Sequence, residues 1–235
     1  MELESLYANR FESASWQKRS TMWKILCKEF FNKYVTSSYD VLDLAAGYCD
    51  FINNIAIPSA GQSRGRRIAV DLNPDVKAHA ADFVEVHNSP AQDLGFLGDD
   101  SIDAIFVSNF FEHVREKEDI LSILRECLRV LRPEGKLMIL QPNIKYLPGE
   151  YWDFFDHYTP LTEKSMCEAL SIIRGGGTYF SVTTLIDRFL PYTTKSRLPQ
   201  YGWMIRLYCH CPLAWKVLGK QMFIVAQKKE CDYLC

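Results

Sequence analysis

Asp43 and Asp71 stand twenty-eight positions apart, and each follows a short apolar run, Val41-Leu42 in the first case and Ile68-Ala69-Val70 in the second. If those runs are adjacent parallel strands, the two carboxylates can grip the two ends of a nucleoside-containing ligand, because open α/β sheets bind at the carboxyl edge of their strands. Asp71 is then placed to accept hydrogen bonds from two ribose hydroxyls. After Asp43 the chain breaks at Ala45-Ala46-Gly47, where the backbone most needs to lack a side chain if a ligand is to lie against the turn. A second group can handle protons. In Tyr151-Trp152-Asp153-Phe154-Phe155-Asp156-His157 the best candidate base is His157, with Asp156 or Asp153 able to orient it, and His113 beside Glu112 is the second candidate. The plainer readings are that His157 caps the following helix or meets a backbone carbonyl, and that His113 packs.

These side chains need a scaffold that brings them to one edge. Apolar runs predict strands near 39–44, 67–71, 83–87, 102–107 and 136–141, with two more at 178–185 and 222–227. Helical periodicity falls near 49–57, 75–81, 116–131 and 162–173, and again over 3–35 before the first strand. Alternation at this rhythm predicts an α/β fold, a mostly parallel sheet with helices on both faces. Arg132-Pro133-Glu134-Gly135 marks a stop between a helix and a strand, since proline cannot continue the one and glycine frees the turn into the other.

With 235 residues, 48% of them hydrophobic, the chain can bury one sizeable core. We expect one domain over 1–235, with a helical segment at 1–36 and an insertion at 186–220. No run is long and apolar enough for a membrane span, and the charged start lacks a secretory pattern, which predicts a cytoplasmic protein. The cysteines form no Cys-x-x-Cys pair and read as reduced thiols. Cys209-His210-Cys211 lacks the partner spacing of a tetrahedral zinc site, so no metal is expected. The formal net charge of −2 hides an asymmetry: Leu185–Lys220 carries six cations and one anion, the rest of the chain 21 and 28. That insertion also holds Phe189, Tyr192, Tyr201, Trp203, Tyr208 and Trp215. Aromatics among cations suit an anionic ligand with stacking or sugar faces, which makes Arg188, Arg197 and Arg206, with Tyr151, the candidate substrate contacts. A homodimer interface and a peripheral patch on anionic lipid are the competing readings.

Four segments in order resemble the motifs of class I S-adenosylmethionine-dependent methyltransferases. They are the turn after Val41–Leu44, the acid after Ile68–Val70, the stretch Ala91–Leu94 with Ser101–His113, and Arg129–Leu137. The resemblance covers about 39–185, with Met222–Gln227 matching the final strand. It implies a sheet of seven strands, the last antiparallel between the fifth and sixth. Carried over residue by residue, Asp43 and Gly47, with Ala45, would contact the methionine part of S-adenosyl-L-methionine, and Asp71, with Leu72, the ribose. Ala91 and Gln92 would lie near the adenine, and Ser108, Asn109 and Phe110 beneath the sulfonium. Two glycines usual in the first motif are replaced by Ala45 and Cys49, and the adenine position has Pro90-Ala91 where a carboxylate is common, leaving that role to main-chain groups or Asp93.

A nicotinamide dehydrogenase is disfavoured because Gly-x-Gly-x-x-Gly is absent. Ser108-Asn109-Phe110-Phe111 lacks the Asn/Asp-Pro-Pro-aromatic pattern of enzymes that methylate base amines or glutamine amides, and the chain is not strongly basic, so no nucleic-acid partner is expected. The resulting expectation is methyl transfer to a small molecule, with a hydroxyl of a sugar or nucleotide-linked sugar as acceptor, S-adenosyl-L-homocysteine as product, and His157, Asp156 and His113 as the catalytic set. Similar chains occur among methyltransferases of glycan and secondary-metabolite pathways. The alternative is a catalytically silent relative that binds a nucleoside or a partner protein through the insertion.

Overall fold

A computed structural model describes residues 13–191 and 201–231, with side chains from residue 19 onward. Along the chain lie α1 (Ser13–Glu29), β1 (Val41–Leu44), β2 (Arg67–Val70), α2 (Val76–His79), β3 (Glu85–His87), β4 (Ile102–Ser108), α3 (Lys117–Val130), β5 (Leu131–Pro142), α4 (Glu163–Ile172), β6 (Arg174–Gly175), β7 (Thr178–Ile186), α5 (Gly202–Cys209), α6 (Pro212–Leu218) and β8 (Gln221–Glu230). The strands form one sheet in the order β3-β2-β1-β4-β5-β8-β7-β6. β1 to β5 pair in parallel, and β8 runs antiparallel between β5 and β7.

The sheet has eight strands rather than the expected seven. Gly176 and Gly177 adopt φ of +57° and +75°, the left-handed pair that a two-residue hairpin turn requires, so Gly175 folds back opposite Thr178 and adds the short edge strand β6.

Side chains alternate across the sheet, as period-2 geometry demands. Leu42, Leu44, Ile68, Val70, Ile105 and Val107 face α3 and α4. In α3 the buried positions Ile120, Ile123, Leu124, Cys127 and Leu128 recur at helical spacing and make one apolar stripe. α4 starts at a reciprocal cap, where Thr162 Oγ1 accepts from the Ser165 amide at 3.1 Å and Ser165 Oγ accepts from the Thr162 amide at 2.9 Å. On the other face Val41, Ala69, Phe106, Met138 and Phe223 meet α1 and the insertion. Phe189 stacks on Phe30 at 4.0 Å and meets Trp215 edge-on, which pins the insertion to α1.

The helix expected at 49–57 is a run of turns. Phe51, Ile52 and Ile55 do bury as a helical face would, but Cys49 and Ala56 sit at φ +57° and +42°, which regular helix excludes. Side chains satisfy the amides instead: Asp43 Oδ2 accepts from Ile52 and Asn32 Oδ1 from Ala56. The helix read at 75–81 shrinks to α2.

Candidate active site

Strand register brings the ends of β1, β2 and β4 to one level. Leu44 pairs with Val70 on one side and Val107 on the other, so Ala45, Asp71 and Ser108 emerge together at the carboxyl edge. β1 lies between strands that continue in opposite directions, the switch point where open α/β sheets form their crevice. β5 reaches the same edge with Gln141, and β8 starts there with Gln221, whose Nε2 donates to Asn109 Oδ1 at 3.0 Å.

The turn after β1 alternates in conformation. Ala45, Gly47 and Cys49 have φ of +59°, +51° and +57°, and the Ala46 and Cys49 amides donate to the Val70 and Ala46 carbonyls at 3.0 and 2.8 Å. Ala45 and Cys49 each hold this left-handed geometry at a cost of about 1–2 kcal/mol relative to glycine. The Gly47 amide donates to Asp71 Oδ2 at 2.7 Å, and Asp71 Oδ1 accepts from the Asn73 amide at 2.8 Å, so the second acid fixes both turns. A Cβ added to Gly47 would meet nothing within 4 Å, so the backbone there is open.

Asn88, unnoticed in the sequence, ties β3 to this edge by donating from Nδ2 to the Asp71 and Leu72 carbonyls, both at 2.8 Å. Its place after a strand end carries no sequence signal of its own. Leu72 is exposed, Ala91 is buried and Gln92 faces water.

Asp43 lies beneath the turn and is buried. Burial raises its carboxyl well above the ordinary carboxylate range, helped by Asp71 and Asp50 and opposed by the Ile52 amide at 3.3 Å. The folded chain therefore keeps a proton that the unfolded chain has released. Stability from this group is complete below about pH 4, the ordinary aspartate value, and is lost as pH rises through the raised one. Asp43→Asn keeps an acceptor for Ile52 and should flatten that decline. In melting curves against pH, the variant should gain on the wild type towards neutral pH and lose its advantage towards about pH 4. A difference that stays constant with pH would contradict the buried acid.

Beyond Asn109, at φ +46°, the chain makes a short 3-10 turn, Phe111–His113, under the loop 144–159. The structure brings all three expected catalytic residues together there. His113 Nδ1 lies 2.9 Å from the Asp156 carbonyl oxygen and 3.3 Å from its carboxylate. A carbonyl can only accept, so Nδ1 carries a hydrogen. The His157 ring lies 5.1 Å from that of His113, stacked on Phe154 and tilted against Tyr151. His157 is buried, whereas the His113 side chain is 22% exposed. Asp153 is exposed. Buried Glu112 accepts from Gln141 Nε2, and burial raises its carboxyl above the ordinary range. Glu112, His113 and His157 each offer a ligand atom, all within 4.8 Å of one another, so a cation could be held here; the hydrogen bond from His113 to Asp156 makes proton handling the simpler use.

The expected substrate contacts are more scattered. Tyr151 is fully buried, its hydroxyl donating to the Thr159 carbonyl, and it shapes the loop from beneath. Arg188 donates to the carbonyls of Gly219 and Val217 at 3.0 and 3.1 Å, so it braces the insertion. Arg206 is 3.9 Å from Glu29 on the outside of α5, and Arg197 lies outside the described residues.

Residues 42–139, which hold β1 to β5 and the whole turn, match the methyltransferase domain family. That core is similar to class I, S-adenosylmethionine-dependent methyltransferase domains. It is 26% identical over 147 residues to the ubiquinone/menaquinone biosynthesis C-methyltransferase UbiE of Rickettsia typhi, a match that takes in 59% of this chain and 56% of that protein. The chain thus spans little more than half the length of that curated relative. Among solved structures it resembles a SAM-dependent methyltransferase from Archaeoglobus fulgidus, with 18% identity, a TM-score of 0.59 and coverage of 89% and 94% of the two chains. It also resembles the plantazolicin methyltransferase BamL in complex with a triazolic desmethylPZN analog and SAH, with 13% identity, a TM-score of 0.61 and coverage of 98% and 92%.

The methyltransferase edge fits S-adenosylmethionine on its own geometry. The backbone at Gly47 is open, with nothing within 4 Å of where a Cβ would stand, and Asp71 stands at the end of β2 with both oxygens oriented by backbone amides. Each oxygen keeps acceptor capacity for a ribose hydroxyl. Asp71→Ala should weaken cofactor binding by roughly 1.5–3 kcal/mol, the range for hydrogen bonds to a charged acceptor. Calorimetric titration reads this directly, and unchanged affinity in a folded variant would remove Asp71 from the site.

Proposed function

We propose that this protein transfers a methyl group from S-adenosylmethionine to a small-molecule acceptor that must give up a proton, with a hydroxyl of a sugar or nucleotide-linked sugar as the acceptor group. The observation that carries the reading is the His113–Asp156 pair beside the β4 floor. The cofactor, when bound, supplies a methyl on a sulfonium open to in-line displacement. Asp71 would hold the ribose, the Gly47 backbone and Asp43 the methionine end, Ala91 and Gln92 the adenine side, and Ser108, Asn109 and Phe110 the floor. His113 Nε2 accepts the acceptor's proton, while Asp156 orients the ring and steadies the imidazolium through Nδ1. His157 positions that pair from its buried seat. Holding the nucleophile at near-attack distance supplies much of the remaining effect.

C-methylation, the activity named for the Rickettsia relative, makes the same demand for a base when the carbon acid must ionise. The described cysteines are free, in keeping with a reducing compartment, and we place the protein in the cytoplasm as one domain. Calorimetry with S-adenosylmethionine, followed by mass spectrometry of candidate acceptors, tests the proposal. Binding and a methylated product support it; binding without turnover on any proton-bearing acceptor would mark a silent relative, and no binding would remove the cofactor.

A further inference from the structure

The insertion leaves β7 at Ile186 and returns at Gln221. β7 runs parallel to β5, so both junctions lie at the edge where the candidate site opens. Its two helices are anchored from within by Tyr208, Cys209 and Trp215, which join the core on the α1 face. Their other face is unusual for one that meets water. Trp203 and Leu207 of α5 are 65% and 63% exposed, and Leu213 and Val217 of α6 are 74% and 73% exposed. Spacing of four residues puts each pair on one side of its helix. The polar residues that share this face include the exposed cations Arg206 and Lys216 and the exposed His210, and no acidic residue occurs from Arg188 to Lys220.

A face bearing large apolar side chains and no acidic residue of its own, with Glu29 of α1 the acid that Arg206 and His210 meet, matches neither a solvated helix, which mixes signs along its length, nor a core. It is the composition of an interfacial helix pair, with apolar side chains entering the acyl boundary and cations meeting headgroups. We propose that the α5–α6 hairpin docks this protein on an anionic lipid surface, with the candidate active site opening beside that surface. Charge complementarity selects this occupant: Leu185–Lys220 has six cations and one anion while the rest of the chain has 21 and 28, so the insertion that carries the hairpin is the part an anionic bilayer attracts while the body is repelled. That asymmetry orients the molecule as well as holding it. The proposal does not depend on the methyl-transfer reading.

The full chain should co-sediment with vesicles of mixed phosphatidylserine and phosphatidylcholine and much less with phosphatidylcholine alone, and added salt should weaken binding because it screens the cations. Leu213→Ser with Val217→Ser, both outward-facing, should reduce vesicle binding at least tenfold with an unchanged melting temperature. Lys216→Glu, made separately, should reduce it without removing any apolar contact, and so remains informative if the double variant folds poorly. Absence of binding to anionic vesicles would overturn the proposal, as would equal binding to neutral ones. A concentration-dependent dimer that the double variant abolishes, with no vesicle binding, would instead give the face to a second copy of the chain.

Discussion

Replacing Gly47 by valine should abolish measurable S-adenosylmethionine binding while leaving most of the fold in place. Two effects add. At φ +51° a β-branched side chain is strained, at a cost of about 1–2 kcal/mol. The larger effect is steric, because the added atoms would fill the opening against which the ligand must lie. Nothing in the protein crowds that opening, so the clash arises only with ligand present. Affinity should fall at least about 100-fold, or about 2.7 kcal/mol. Gly47→Ala serves as the graded control: it carries the backbone strain with less bulk and should bind more strongly than the valine variant. If Gly47→Val bound normally, the turn would be structural only.

The second large effect concerns turnover. His113→Ala should lower kcat by roughly 10²–10⁴, the usual contribution of a general base, with cofactor affinity nearly unchanged. Added imidazole should restore part of the rate in this variant, since the missing group is a proton acceptor in a partly open position. His157→Ala should cost less and should not be rescued, because the buried ring acts by packing against His113. Rescue of His157→Ala, with a normal rate in His113→Ala, would reverse the two roles. Full turnover in both would leave catalysis to positioning alone.

Much of the sheet was legible because its strands are contiguous apolar runs that end in polar residues, and Asp43 and Asp71 mark two of those ends. The turn that follows Asp43 was less legible. Phe51, Ile52 and Ile55 have a helix's apolar spacing, and only the left-handed backbone at Cys49 shows that the chain cannot wind regularly there. The pairing of His113 with Asp156 spans 43 residues. No local pattern announces it, so the sequence pointed to the adjacent His157 as the better base. For Arg188, composition registers a cation among aromatics, whereas only the folded chain shows its guanidinium donating to the Gly219 and Val217 carbonyls. Eight strands formed where seven were expected because paired left-handed glycines made a hairpin too short to leave an apolar signature.

Helix α1 touches both ends of the molecule's business. Near its middle Arg19 pairs with Asp50 at 2.6 Å and covers the Tyr48 ring at 4.0 Å, both in the turn that would carry the cofactor. Near its end Glu29 meets His210 at 3.2 Å, and Ile25 packs against Gly202 at the start of α5. These contacts are ten residues apart, about 15 Å of rigid helix. A lever of that kind imposes a reciprocity: if occupation of the hairpin tightens cofactor binding by some factor, the cofactor must tighten the hairpin's attachment by the same factor. Vesicle binding measured with and without S-adenosylmethionine, and cofactor affinity measured with and without vesicles, should therefore close a thermodynamic cycle.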